Sequence, residues 1–289
     1  MTVGDGELFI HIGLHKTGTS YLQSVVFPEL PDVHLVRGLR PLREEFGREP
    51  AGAKILISSE VLSGRPWPAL RDRTSSPTSF YSNFERSLRM IAQMHPHARI
   101  LVGFREQSAW LSSLYRQYLQ EGGCRSLEEF INPGGRTGLL KPQDLLFAPR
   151  LKLIRELFPA PPFVFTQEQL AHDEGSLIRA MASFMGLEPT DLAPTSTGPR
   201  GRNVGVQARQ ASVLRFLNQI DNALRQLPGQ PTSYNRFFKK VGLTPRHLCQ
   251  NLLSAVPSPP FELPDELNSW VQGHCADDWK TILKAADSL

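Results

Sequence analysis

Cysteine is scarce in this chain. Its three residues, Cys124, Cys249 and Cys275, are odd in number, widely spaced and without a C-x-x-C pair. That spacing excludes a disulfide framework and a zinc ribbon, and it points to reduced thiols in a cytoplasmic setting. His95, His97, His172, His247 and His274 lack the spacing of metal ligands. No Asp/Glu pair suggests glycosidase chemistry or a bound divalent ion, so no metal is expected. Long apolar runs are missing too. Met1 to Glu7 is acidic, and the apolar stretch behind it carries His11 and runs into glycine. The segment is therefore neither a signal peptide nor an anchor, and no membrane span is expected. Internal repeats and long low-complexity tracts are absent. The excess of positive charge is mild, net +4 with a pI near 9.1, which suits an anionic small-molecule partner and makes no case for nucleic acid. At 289 residues, 40% hydrophobic and 21% charged, the chain is long enough for a large buried core. A single α/β domain over residues 1–289 is expected, with its core over about 8–205 and a helical part over about 206–289.

What is present begins at once. Leu8 to Ile12 reads as a strand buried on both faces. Behind it come Gly13-Leu14-His15-Lys16-Thr17-Gly18, and Thr19-Ser20 open a helix carrying Tyr21, Leu22, Val25 and Val26. Strand, glycine-bearing loop and helix start form the geometry that holds a phosphate through backbone N–H groups and the helix dipole. Gly13 and Gly18 satisfy G-x-x-x-x-G, but a nucleoside-triphosphate loop continues with Lys, and here Thr19 stands in that place. The loop has one cation, Lys16, two residues before the second glycine. Such a loop can hold a phosphate-type anion, yet it lacks the lysine that an NTPase sends to the β- and γ-phosphates.

His15-Lys16-Thr17-Gly18-Thr19-Ser20 resembles the 5′-phosphosulfate loop of sulfotransferases that use 3′-phosphoadenosine 5′-phosphosulfate (PAPS), in the wording of the bacterial branch. The resemblance implies that Lys16, Thr17, Gly18, Thr19 and Ser20 hold the 5′-phosphate and the sulfuryl group, with His15 beside them as a catalytic candidate for contact with that group. Golgi members of the family carry a membrane anchor; its absence here implies a soluble enzyme.

Further along, Val33 to Val36 reads as a short strand and Lys54 to Ser58 as a second core strand, with Glu60 just beyond it. Ser63 to Thr78, rich in Pro, Ser and Arg and containing Trp67, reads as a surface loop near the site. Apolar residues at helical spacing from Phe80 to Met94 predict a helix closed by Pro96. Arg99 to Phe104 is a strand that delivers Arg105, and a helix comes next from about Ser108 to Gln120, stopped by Gly122-Gly123. Leu127 to Ile131 is a short helix, Leu145 to Phe158 a longer one, Pro162 to Phe165 a fourth core strand, and about Ser176 to Met185 a helix. Beyond the Gly/Arg-rich loop from Thr195 to Val206, helices are predicted over 207–227, 233–241, 245–255 and about 265–286. Strands alternating with helices imply a doubly wound parallel sheet flanked by helices, with a helical C-terminal cap. Ligands bind at the carboxyl ends of such strands, where Lys16, Glu60 and Arg105 all fall.

Arg105 and Ser113 form the second constellation, a strand-end guanidinium and a hydroxyl eight positions later on the next helix. A planar fork plus a hydroxyl donor suits a terminal phosphate dianion. In PAPS-dependent sulfotransferases this pair binds the 3′-phosphate, and Tyr115-Arg116 resembles the residues usual after that serine. Arg202, in the basic loop, is similar in position to a residue near the cofactor. Several glycan sulfotransferases place a catalytic Glu where Glu60 stands, so Glu60 is the candidate general base; a carboxylate there could equally pair with Lys16 or Arg105 and order the site. His11 alternates into the first strand and reads as a packing residue.

The resemblance implies transfer of a sulfuryl group from PAPS to a hydroxyl or amine, leaving adenosine 3′,5′-bisphosphate. The acceptor class stays open between small metabolite, glycan and lipid, as does the oligomeric state. Competing readings are a P-loop-type small-metabolite kinase, against which the missing Lys after Gly18 speaks, and a non-catalytic nucleotide-binding module, which would need no acceptor base.

Overall fold

A computed structural model of the chain describes residues 7–38, 53–64, 80–134, 138–188, 208–224, 259 and 261–288. Arg202, Trp67, most of the Ser63 to Thr78 loop and the helices expected over 233–241 and 245–255 lie outside these residues.

Five strands form one sheet: β1 (Leu8–Gly13), β2 (Val33–Arg37), β3 (Lys54–Ser59), β4 (Arg99–Phe104) and β5 (Phe163–Thr166). Their spatial order is β2-β3-β1-β4-β5, and every pairing is parallel. The architecture is the expected α/β parallel sheet with helices on both faces. Register brings the carboxyl ends into line: Ile12 lies opposite Ser59, Gly13 opposite Gly103, and Phe104 opposite Thr166. The segments behind β1, β3, β4 and β5 therefore all emerge on one edge.

The period of two along β1 divides the core. Leu8, Ile10 and Ile12 join one apolar cluster with Ile57, Ile100, Val102 and Phe104. Helices α2 (Phe80–Met94), α3 (Gln107–Gln120), α5 (Ala148–Leu157), α8 (Ala208–Leu224) and α9 (Asp265–Ala286) cover that face. Phe9 joins the opposite cluster with Leu56, Leu101, Phe163 and Phe165. That face is covered by the segment after β1 together with α6 (Gln167–His172) and α7 (Glu174–Phe184). A short α4 (Leu127–Phe130) carries a full capping box between Ser126 and Glu129.

Two element boundaries differ from the sequence reading for identifiable reasons. The helix expected over Leu145 to Phe158 splits into a 3-10 turn (Pro142–Leu145) and α5. Asp278, on α9, accepts hydrogen bonds from the backbone N–H of Phe147 (2.9 Å) and Ala148 (2.7 Å), so α5 starts where that carboxylate caps it. Asp278 also accepts from Gln107 Nε2 at 2.8 Å, which ties α9 to the first turn of α3. The second difference is α1, which is only Thr19–Tyr21. It continues as a π-helical turn over Leu22–Val26 and a 3-10 turn over Phe27–Glu29.

Arg150, fully buried, donates to the backbone carbonyls of Asp144 (2.9 Å) and Leu146. Burial brings its guanidinium down to about 10, against the pull of Asp144 and Asp278.

His11 is the polar member of β1's second face. It is fully buried and packs edge-on to Phe27. Gln23 Nε2 donates to both the carbonyl and the hydroxyl of Ser58, each at 3.0 Å. His11 Nδ1 and the Ser58 hydroxyl share a hydrogen bond at 2.8 Å, and His11 Nε2 is buried without a hydrogen-bond partner among the described residues. Burial lowers the pKa of His11 from 6.5 to about 3. The unfolded chain takes up a proton that the folded chain refuses, so this contribution to stability is complete above about pH 6.5 and is lost as pH falls below it. We expect the folding free energy to drop by about 1.4 kcal/mol per pH unit through that window. Denaturant unfolding of the wild type and His11→Asn between pH 7.5 and 5 checks this, since the variant should lack that slope.

Candidate active site

The loop between β1 and α1 is held by bonds to its own carbonyls, from within and from outside. Thr17 Oγ1 donates to the Leu14 carbonyl at 2.7 Å, Trp110 Nε1 to that of His15 at 2.8 Å, and Arg105 Nη1 to that of Lys16 at 3.3 Å. Leu22 N–H closes onto the Gly18 carbonyl at 3.0 Å. With these acceptors engaged, the loop has few carbonyl lone pairs left to repel an anion. Two residues take left-handed backbone, Lys16 at φ 64° and Gly18 at φ 88°. Glycine adopts that conformation without strain, whereas for Lys16 it costs on the order of 1 kcal/mol or more.

Thr17 is fully buried and its hydroxyl proton serves Leu14, so the loop uses Thr17 as an internal brace. Thr19 is buried against Gly13, where an added Cβ would lie 2.3 Å from Thr19 Oγ1. That hydroxyl has no hydrogen-bond partner among the described residues. Ser20 is exposed at the start of α1.

Three cations meet here. Arg105 lies directly behind β4 and reaches the Lys16 carbonyl. Arg116 lies on α3 one turn beyond Ser113, whose hydroxyl accepts from Arg116 Nη2 at 3.4 Å. Burial lowers the pKa of all three groups. Glu60 acts against that on Lys16, while Arg116 and Arg105 push the same way. For Arg105, Glu168 is the main opposing charge. The Nε atoms of Arg105 and Arg116 are buried without a hydrogen-bond partner among the described residues. The third turn of α3 thus places a further cation beside Lys16 and Arg105. Its signal was the i, i+3 spacing of Ser113 and Arg116, which puts both on one face of the helix.

The strand ends supply the carboxylates. Glu106 accepts from the N–H groups of Ser108 (3.0 Å) and Ala109 (2.8 Å), capping α3. Glu168, after β5, accepts from Glu106 N–H at 3.2 Å. Glu60 opens a 3-10 turn (Glu60–Ser63) directly behind β3. Its side chain is 34% exposed and lies 3.5 Å from His15 Nδ1. His15 Nε2 in turn meets the Gly64 carbonyl at 2.9 Å.

The structure therefore brings together Lys16, Thr17, Gly18, Thr19, Ser20, His15, Glu60, Arg105 and Ser113 at one edge of the sheet, and adds Arg116. Among the described residues no group of three or more His, Cys, Asp or Glu side chains is placed to hold a metal, and no helix is long and apolar enough to cross a membrane.

No family model matches the chain, and no curated protein matches it. Among solved structures it is similar to a sulfotransferase from Alicyclobacillus acidocaldarius. That alignment has 14% identity, covers 68% of this chain and 87% of that one, and has a TM-score of 0.49.

The contact between Gly13 and Thr19 sets the path of the loop into α1. Gly13→Ala is expected to cost about 1–3 kcal/mol through overpacking. In a Thr19→Ala background, which removes the nearest atoms, the same substitution should cost about 1 kcal/mol less. A double-mutant cycle of thermal unfolding checks this, and strict additivity would show that the two residues do not press on each other.

Proposed function

We propose that the chain is a sulfotransferase that moves a sulfuryl group from PAPS to a hydroxyl or amine of its acceptor. The observation that carries this reading is the junction of the two anion-binding elements: Arg105 bonds to the carbonyl of Lys16, with Arg116 close enough to depress both cations. A site with one phosphate-binding loop and a separate guanidinium pair suits a ligand with phosphates at two positions, rather than the linear chain of a nucleoside triphosphate. The residues fit such a group. Arg105 Nε, Arg116 Nε and Thr19 Oγ1 are buried donors without partners among the described residues, and an anion would satisfy them. The kinase reading is weaker, because Thr19 occupies the place of the lysine that a triphosphate loop requires.

On this reading Lys16, Gly18, Thr19 and Ser20 hold the 5′-phosphosulfate, with Thr17 bracing the loop, and Arg105, Ser113 and Arg116 hold the 3′-phosphate. Bound PAPS supplies an activated sulfuryl group joined to the 5′-phosphate through one S–O bond. Lys16 offsets the negative charge that grows on the bridging oxygen as that bond lengthens. Glu60 accepts the proton of the attacking hydroxyl or amine from a position at the mouth of the same loop. A partly exposed carboxylate can do this while staying in exchange with water.

Calorimetry separates the assignments. The wild type should prefer adenosine 3′,5′-bisphosphate to ATP. Arg105→Ala should lose about 1.5–3 kcal/mol of affinity for the bisphosphate and most of the preference; an unchanged preference would refute the 3′-phosphate site. Glu60→Gln keeps the shape and removes the base, so bisphosphate binding should hold while turnover falls on the order of 10²–10⁴-fold. Wild-type turnover in that variant would rule out Glu60 as the base.

A further inference from the structure

We propose that His15 is a positioning residue that faces Glu60 and receives the acceptor's proton from it, instead of contacting the transferred group. The inference rests on the sulfotransfer reading for the identity of the acceptor step, and on geometry for the proton.

The Gly64 carbonyl can only accept, so the 2.9 Å contact from His15 Nε2 requires the ring proton on that nitrogen. Nδ1 is then the nitrogen that faces Glu60 Oε2 at 3.5 Å. With a neutral ring and an ionised carboxylate, two lone pairs oppose each other there. One proton between them turns that opposition into an attraction, and nothing else in the pair needs to move. The His15 side chain is 10% exposed and that of Glu60 34%, so Glu60 is the side of the pair that substrate and solvent reach more readily.

Atoms and charge balance through the step. The acceptor oxygen or nitrogen forms its bond to sulfur while its bond to hydrogen breaks and the proton passes to a Glu60 oxygen. The S–O bond to the 5′-phosphate breaks with its electron pair going to the phosphate. Glu60 then gives the proton to His15 Nδ1, and the resulting imidazolium has one N–H on the Gly64 carbonyl and the other facing the Glu60 carboxylate. Return of that proton through Glu60 to water resets the pair. Among the described residues, charged groups nearby are Glu60, from the turn after β3, and Lys16, the chain neighbour of His15; α3 presents Trp110, which donates to the His15 carbonyl and does not titrate.

Two measurements test this. The first uses ¹⁵N-histidine NMR on the ligand-free protein across pH. We expect the neutral ring of His15 to carry its proton on Nε2, and the ¹⁵N signal of Nδ1 to change in Glu60→Gln, where the facing carboxylate becomes an amide. An Nδ1 signal indifferent to Glu60→Gln overturns the proposal. The second uses His15→Asn, whose amide can offer Glu60 an N–H but takes up no proton. Its turnover should fall on the order of 10²-fold, its affinity for adenosine 3′,5′-bisphosphate should stay within about twofold, and one inflection of the acid limb should vanish from its rate profile. Wild-type turnover with an unchanged profile, or a parallel fall in affinity and rate at every pH, overturns the proposal. Failure of the wild type to bind the bisphosphate would instead refute sulfotransfer, with an Nδ1 signal that depends on Glu60 still supporting the pairing. An Nδ1 signal that ignores Glu60 in an enzyme that transfers sulfuryl groups would refute the role of His15 alone.

Discussion

Lys16, Arg105 and Arg116 repel one another in a half-buried cluster at the carboxyl ends of β1 and β4, and the surrounding structure is arranged to keep them there. Removing a cation from water is costly, and crowding three raises that cost further. All three respond with lowered proton affinity. Backbone and hydroxyl oxygens hold them: the Lys16 carbonyl for Arg105 and Ser113 for Arg116. Glu60 and Glu168 provide partial balance from the ends of β3 and β5. The cluster by itself is electrostatically unfavourable, and an anion relieves it.

Helix α3 transmits that constraint to the rest of the fold. One helix carries the cap Glu106, the indole that holds the His15 carbonyl, the hydroxyl of Ser113 and the guanidinium of Arg116. Its first residue, Gln107, is bonded to Asp278 of α9, and the same carboxylate starts α5. The helix behind the site is thus tied at one end to a half-buried carboxylate and along its length to the core.

Much of this was legible in the sequence because it is local. Phe80 to Met94, Arg99 to Phe104 and Asp265 to Ala286 have the bounds that their periodicity and stop signals predict. The glycine loop behind β1 and the strand-end place of Arg105 could be read from spacing alone, since a parallel sheet gathers its strand ends on one edge. Other features depend on contacts between distant segments and leave no periodic trace. The π-helical turn at Leu22–Val26, the cap that Asp278 places on α5, and the facing of His15 and Glu60 belong to that kind. Arg116 lies between the two: its helical spacing from Ser113 was visible, but its proximity to Lys16 comes only from the packing of α3 against the loop. Thr17 shows the reverse, a loop hydroxyl whose proton is spent inside the loop.

The position of β1 in the sheet has a consequence for how the molecule is made. This strand comes early in the chain and ends up in the middle, with Leu8 beside Ile55 on one side and Phe9 beside Arg99 on the other. Neither neighbour is close in sequence, so the pairing cannot form as a hairpin and has to wait for long loops to close. Until β4 docks, β1 is an open edge six residues long, all of them destined for burial, and no charged residue interrupts it to deter another chain from adding alongside. The strand that carries the anion loop is therefore also the segment through which partly folded copies would join one another, and a ligand that grips the loop would favour the state in which that edge is closed.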